Sequence, residues 1–267
     1  MKTQHIPRKR FGQHFLVDQN ILNKIVNVFT PKEGQYIVEI GPGTGALTEK
    51  LLDKITTLTA VELDKDLIDH LQAKFGQNET RSFEVIESDI LKFDFSSLFK
   101  TRVQNQKLRI IGNLPYNIST PLIFYLLEHI DIIEDMVFML QKEVAMRLSA
   151  VPGNKHYGRL TIMSGIDFHC EPLFEVPPTA FNPPPKVDST VIRMWPRDDH
   201  FQINCRESLS KIVTAAFSQR RKTIKNSLKH LVTDKQFKMA SIDTSQRAEN
   251  LRVEDFIALS NISSITN

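Results

Sequence analysis

Hydrophobic positions over the first two thirds of the chain fall into short apolar runs that alternate with amphipathic stretches. "NILNKIVNVF" sets Ile21, Leu22, Ile25, Val26 and Phe29 at helical spacing, and "TPKEG" breaks the pattern. "YIVEI" (Tyr36–Ile40) is a β-branched run that ends in Gly41, Pro42, Gly43, Thr44 and Gly45, and the helix-like "ALTEKLLDKI" follows. The same order returns in "TLTAVEL", which ends at Glu62 and Leu63 before the amphipathic "DKDLIDHLQAKF", with Asp64 placed as its N-cap. "FEVIES" ends just before Asp89, "LRIIGN" runs into Asn113, and "MVFMLQ" precedes a helix in "KEVAMRLSA". Residues 157–165 read as a further helix, and "FHCEPLFEV" and "DSTVIRMW" as the last two strands. Seven strands alternating with helices predict an α/β domain, a mostly parallel sheet with helices on both faces.

Between the last two strands, "PPTAFNPPP" holds five of the thirteen prolines and predicts a stiff, extended loop rather than a helix or central strand. From Phe201 onward strand patterning stops and helix patterning takes over. The boundary therefore falls near residues 195–200, with a first domain at 1–198 that carries a basic N-terminal arm and a small all-α domain at 199–267. In the latter, Leu209, Ile212, Val213, Ala216, Phe217, Ile224, Leu228 and Leu231 form an apolar stripe, while Arg221, Lys222, Lys225 and Lys229 line another face.

Composition adds exclusions. With 41% hydrophobic and 24% charged residues over 267 positions, neither wholesale disorder nor a fibrous chain fits. No apolar run reaches membrane length and none follows the basic start, so a cytoplasmic protein with no membrane partner is expected. Cys170 and Cys205 are far apart and outside any CxxC or HxxxH pattern, which argues against a disulfide framework and against a metal. The net charge of +3 conceals a division. Residues 1–10 carry Lys2, Arg8, Lys9 and Arg10 with no acid, residues 201–267 carry eleven Lys/Arg against six Asp/Glu, and the 190 residues between them sum to −6. Basic ends around an acidic middle suggest a polyanion gripped by the termini, with a merely solvated surface as the alternative.

The strand ends carry the candidate chemistry. A glycine turn between strand and helix lets backbone approach a ligand at a helix N-terminus. The spacing here is G-x-G-x-G rather than the G-x-G-x-x-G of a pyrophosphate binder. Glu62 lies 21 residues after Gly41, where a carboxylate reaches the hydroxyls of a bound ribose; capping the next helix is the other reading. Asp89, past the third strand, is placed to accept a hydrogen bond from an adenine amino group. Three consecutive strand ends thus point to an adenosine-containing ligand. At the fourth, "GNLPYN" presents an amide, a proline and an aromatic. An exocyclic aromatic amine is a poor nucleophile because its lone pair is delocalised. The Asn113 side-chain oxygen and the Leu114 carbonyl, accepting its two N–H bonds, would favour a tetrahedral nitrogen. Pro115 holds the residue before it extended, and Tyr116 can stack on the base.

The segments "GQHFL", "EIGPGTGALT", "VELD", "GNLPYNISTPL", "FNPPPKVDS" and "AFSQRRKTIKNSL", in this order from residue 8 to about 255, resemble the ribosomal RNA adenine N6-dimethyltransferase family, its bacterial small-subunit branch most of all. The resemblance implies a Rossmann-like methyltransferase domain with S-adenosylmethionine as methyl donor and no metal. It implies as acceptors two adjacent adenosines near the 3′ end of 16S rRNA, in a small ribosomal subunit or its precursor, each methylated twice. It assigns donor contacts to His14, Leu16, Gly41, Gly43, Glu62, Asp89 and Asn113, and the acceptor pocket to Asn113, Leu114, Pro115 and Tyr116 with Phe181 as the opposing aromatic. Position 14, often Asn in the family, is His here. No pocket residue reads as a general base, which suits a reaction whose ammonium product loses its proton to water. Stacking between Tyr116 and Phe181 would offset an unstacking cost of roughly a few kcal/mol. RNA grip falls to Arg8, Lys9, Arg10, Arg221, Lys222, Lys225 and Lys229, on a monomer. A nicotinamide-dependent oxidoreductase shares the glycine turn and the acid but leaves "NLPY" unexplained; a non-catalytic RNA-binding assembly factor is the rival from another class.

Overall fold

The computed structural model describes residues 13–77, 80–100 and 106–264; Arg8, Lys9 and Arg10 lie outside them. The chain gathers into two compact units, Met1–Ala145 with Cys170–Pro196, and Met146–His169 with Arg197–Asn267. In chain order the elements up to the last strand are β1 (Phe15–Leu16), α1 (Gln19–Phe29), β2 (Tyr36–Ile40), α2 (Ala46–Leu52), β3 (Thr57–Glu62), α3 (Lys65–Phe75), β4 (Ser82–Glu87), α4 (Phe95–Lys100), β5 (Leu108–Asn113), α5 (Ser119–Leu127), β6 (Ile133–Gln141), α6 (Lys142–Leu148), α7 (Arg159–Gly165), β7 (Phe168–Val176), β8 (Phe181–Asn182) and β9 (Ser189–Pro196).

The seven-stranded sheet runs β4-β3-β2-β5-β6-β9-β7. The pairs β4–β3, β3–β2, β2–β5 and β5–β6 are parallel, whereas β9 pairs antiparallel with β6. The chain builds outward from β2 to β4, then returns to start β5 on the other side of β2. That reversal opens a crevice at the carboxyl ends of β2 and β5. All five residues of β2 are buried, as a central parallel strand covered on both faces requires. Helix α1 packs Leu22, Ile25, Val26 and Phe29 into one apolar cluster with Ile37, Leu47, Leu51, Leu58, Ile111 and Val137.

The opposite, amino-terminal edge of the sheet holds a buried ionic node. Arg109 donates Nε and Nη2 to the two oxygens of Asp135 at 2.6 and 2.9 Å, and its remaining N–H groups go to Thr30 O, Gln35 Oε1 and Phe29 O. Arg193 donates to the same carboxylate at 2.9 Å. Every guanidinium donor of Arg109 thus has a partner, the condition under which a buried pair is tolerated.

The proline-rich loop contributes a short strand. Residues 178–180 form a helical turn, after which Phe181 and Asn182 pair antiparallel with Leu16 and Phe15. The prolines flank these two residues rather than occupying them, so their N–H groups stay available. Val17 N–H extends the pairing to Ala180 O at 2.9 Å.

The second unit holds α8 (Arg206–Phe217), α9 (Ile224–Leu228), α10 (Asp234–Met239) and α11 (Val253–Ser264). Its composition corrects the division at 198/199. Tyr157, Ile162 and Ile166, on and beside α7, pack in one core with Leu209, Ile212, Val213, Ala216, Leu228 and Phe256, so residues 146–169 belong with the helical unit. One further expectation fails there: Leu231 is 45% exposed and does not join the apolar stripe. The chain turns between α8 and α9, where Thr223 accepts from Asn226 N–H as N-cap, and Arg221 and Lys222 sit in that turn.

Candidate active site

A cleft of about 160 Å³ opens at the carboxyl ends of β2, β3, β4 and β5, lined among others by Gly41, Gly43, Glu62, Asp89, Asn113 and Tyr116. The glycine turn shapes one wall. Gly43 and Gly45 have φ of 58° and 80°, and an added Cβ would lie 3.0 Å from the Phe15 ring and 2.6 Å from the Phe75 ring, respectively. Only glycine gives that backbone both its left-handed geometry and its close packing.

Glu62 ties the end of β3 to this turn. Its Oε2 accepts from Gly43 N–H at 3.3 Å, and its Oε1 accepts from Leu63 and Asp64 N–H at 2.8 and 3.0 Å. Burial raises its pKa, and the three N–H bonds act against that rise. Asp64, not Glu62, caps α3, accepting from Asp66 N–H. Asp89 Oδ1 accepts from Leu91 N–H at 3.1 Å, so this carboxylate both caps a short helical turn and lines the cleft. Leu63, 48% exposed, adds an apolar edge beside them.

On β5 the decisive contact is that of Asn113, whose Nδ2 donates to His14 O at 2.9 Å. A carbonyl can only accept, so this bond fixes the amide and leaves Oδ1 as its acceptor at the cleft. The loop after it is also set: Leu114 N–H donates to Met139 O at 3.2 Å and Ile118 N–H to Pro115 O at 3.1 Å. The Tyr116 hydroxyl lies 2.8 Å from Ser189 Oγ, and desolvation raises the pKa of this half-buried phenol. Its ring centroid is 5.5 Å from that of His14, at a tilt of 33°. His14 Nδ1 lies 2.8 Å from Pro183 O, a carbonyl that can only accept, so this ring nitrogen donates.

Most of the residues expected at the site therefore converge: His14, Gly41, Gly43, Glu62, Asp89, Asn113, Leu114, Pro115 and Tyr116 all line the cleft. Two do not. Phe181 is only 4% exposed and sits in the apolar cluster with Leu16, its register partner, while the ring beside Tyr116 is that of His14. Leu16 lines a smaller cavity of about 40 Å³ behind the glycine turn instead.

Glu39 was not anticipated. It lines that smaller cavity, is 1% exposed, and accepts from Thr48 Oγ1 at 2.7 Å. Burial, aided by the nearby Glu62 charge and opposed by the Thr48 bond, pushes its pKa to about 8. The available signal was a lone acid in the run "YIVEI", where a fully buried strand leaves a charge no route to water. Ser189 gave none, since its contact with Tyr116 spans 73 residues.

Residues 4–264 match the family described as Ribosomal RNA adenine dimethylase. The chain belongs to this family. Ribosomal RNA small subunit methyltransferase A of Pseudomonas aeruginosa is 50% identical to the dimethylase over 261 residues, which cover 97% of this chain and 95% of that protein. The protein of the same name from Shewanella piezotolerans is 46% identical, covering 97% and 94%. The crystal structure of a dimethyladenosine transferase from Plasmodium falciparum superposes with a TM-score of 0.76 at 28% identity, over 92% of this chain and 96% of that one. The dimethylase is thus an S-adenosylmethionine-dependent ribosomal RNA adenine methyltransferase.

In the helical unit of the dimethylase, Arg221 and Lys222 occupy the turn before α9, and Lys229 follows its end. Lys225 is held by Asp234 at 2.8 Å, and Arg220 donates to Glu249 and to Lys155 O. Among the described residues no His, Cys, Asp and Glu side chains group as a metal site, and no helix is long and apolar enough to cross a membrane.

Proposed function

We propose that this dimethylase acts in the cytoplasm as a monomer on two adjacent adenosines near the 3′ end of 16S rRNA, in a small ribosomal subunit or its precursor, and converts each to N6,N6-dimethyladenosine. The observation that carries the reading is the fixed Asn113 amide, whose oxygen remains an acceptor beside the glycine turn, Glu62 and Asp89. The similarity to proteins named small subunit methyltransferase A supports the choice of particle.

The cleft fits the donor. Glu62 already presents a carboxylate anchored by three N–H groups, suited to ribose hydroxyls, and Asp89 suits an adenine amine. When bound, S-adenosylmethionine supplies an electrophilic methyl group. Asn113 Oδ1 and the Leu114 carbonyl accept the N–H bonds of the target amine and direct its lone pair. Tyr116, with the His14 ring beside it, provides the stacking surface for a base drawn out of its helix. Water takes the proton, so the protein's work is positioning. Arg221, Lys222 and Lys229 offer charges to the phosphate backbone, with Lys225 reduced in effect by Asp234.

Mass-spectrometric mapping of dimethyladenosine tests this reading in cells with and without the protein, followed by methylation of purified small and large subunits. Two dimethyladenosines appearing together near the 3′ end of 16S rRNA are expected. A mark on 23S rRNA alone would overturn the choice of acceptor.

A further inference from the structure

We propose that Ser189 is a positioning residue of the adenine pocket, its hydroxyl holding the Tyr116 ring in the orientation that the second methyl transfer needs. The inference rests on the acceptor pocket proposed above. Ser189 is fully buried and opens β9, where it is the register partner of Gln141 at the end of β6. The neighbouring Asp188 O accepts from Lys142 N–H at 3.0 Å, so the backbone at this point is tied to the end of β6 and the start of α6. Tyr116, by contrast, sits on a loop and is only half-buried. Its ring touches fixed structure at the His14 ring, 5.5 Å away, and at the hydroxyl, 2.8 Å from Ser189 Oγ. The first of these is borne by the residue just before the short β1 strand, whereas Ser189 belongs to the seven-stranded sheet. The hydroxyl contact is therefore the firmer of the two, and it is the point where "NLPY" and the last residue of "FNPPPKVDS" meet.

The two methyl transfers depend on this contact unequally. An unmodified adenine amine offers two N–H groups to the Asn113 and Leu114 oxygens, while the monomethylated amine offers one. With one anchor gone, the ring stacked on the base carries more of the alignment. A loosened Tyr116 thus slows the second transfer more than the first.

Single-turnover rates for both transfers, measured on whichever adenosine the wild-type protein dimethylates, test the proposal. In Ser189→Ala we expect the second transfer to fall about tenfold and the first by no more than about threefold, with monomethyladenosine accumulating and donor affinity unchanged. Tyr116→Phe should give the same pattern. The double variant should be no worse than either single one, because both remove the same hydrogen bond. Equal losses in the two transfers, or effects that add in the double variant, would overturn it. Because the rates are read on the nucleotide actually modified, a different acceptor would refute the proposed function without obscuring the ratio.

Discussion

Replacing Asn113 by Ala removes two things at once, and the structure lets their sizes be separated. The first is the bond from Nδ2 to His14 O at 2.9 Å, which ties the backbone just before β1 to the end of β5. A single neutral hydrogen bond of this kind contributes about 0.5–1.5 kcal/mol, so donor affinity should fall by a few-fold. The second is the acceptor Oδ1, which matters chiefly as the target nitrogen becomes tetrahedral. Removing one preorganised polar group that acts in the transition state costs about 2.7–4 kcal/mol, or about 100- to 1000-fold in kcat. RNA affinity should change little, since the acceptor acts mainly in the transition state rather than in holding the RNA. Single-turnover methyl transfer, calorimetry for the donor and filter binding for the RNA measure the three quantities separately. Asn113→Asp keeps an acceptor but cannot donate to His14 O, so it should lose donor affinity like the Ala variant and recover part of the rate. A folded Asn113→Ala protein with less than a tenfold loss of kcat, or with RNA affinity falling as far as the rate, would refute the reasoning.

Glu62→Ala should weaken S-adenosylmethionine binding, because it deletes charge-assisted hydrogen bonds of roughly 1.5–3 kcal/mol each; unchanged calorimetric affinity in a folded variant would remove Glu62 from the site. Glu39 ionises near 4.5 in an unfolded chain and only near 8 in the fold. The folded state therefore binds the extra proton between those values, and its stability is greatest below the lower one and declines as pH rises to about 8. Urea midpoints across this range should fall in the wild type and stay flatter in Glu39→Gln. Replacing Arg221 and Lys222 by Ala should flatten the salt dependence of RNA binding by roughly 0.7 to 0.9 log units per lost contact, whereas Lys225→Ala, already paired with Asp234, should do less.

The strand-and-helix order was legible because each strand is a compact apolar run punctuated by Gly, Asp or Asn, and those same punctuating residues became the walls of the cleft. Gly41, Glu62, Asp89 and Asn113 could be found without a structure since a parallel sheet puts its strand ends at one edge. What escaped depends on direction rather than on sequence distance. Phe181 shares its loop with exposed residues, and nothing in "PPTAFNPPP" says which way the ring turns; the pairing of Leu16 with Phe181 turns it into the core. Residues 146–169 follow a strand and precede another, so their periodicity placed them with the sheet, while their apolar side chains pack with helices that come much later. Arg221 and Lys222 match helical spacing with Lys225, yet Thr223 caps a new helix between them.

Strand β5 joins two regions with different duties. Arg109 near its start belongs to the ionic node, and Asn113 at its end belongs to the pocket, roughly 13 Å away at the usual rise of a strand. Substitutions that far apart, with no partner in common, combine almost additively. The base of the sheet can thus serve as a reserve: a variant strengthened there would tolerate losses at the pocket without altering the pocket's own geometry. A laboratory seeking altered base or donor preference in this scaffold would do well to fortify the strand's beginning before randomising its end.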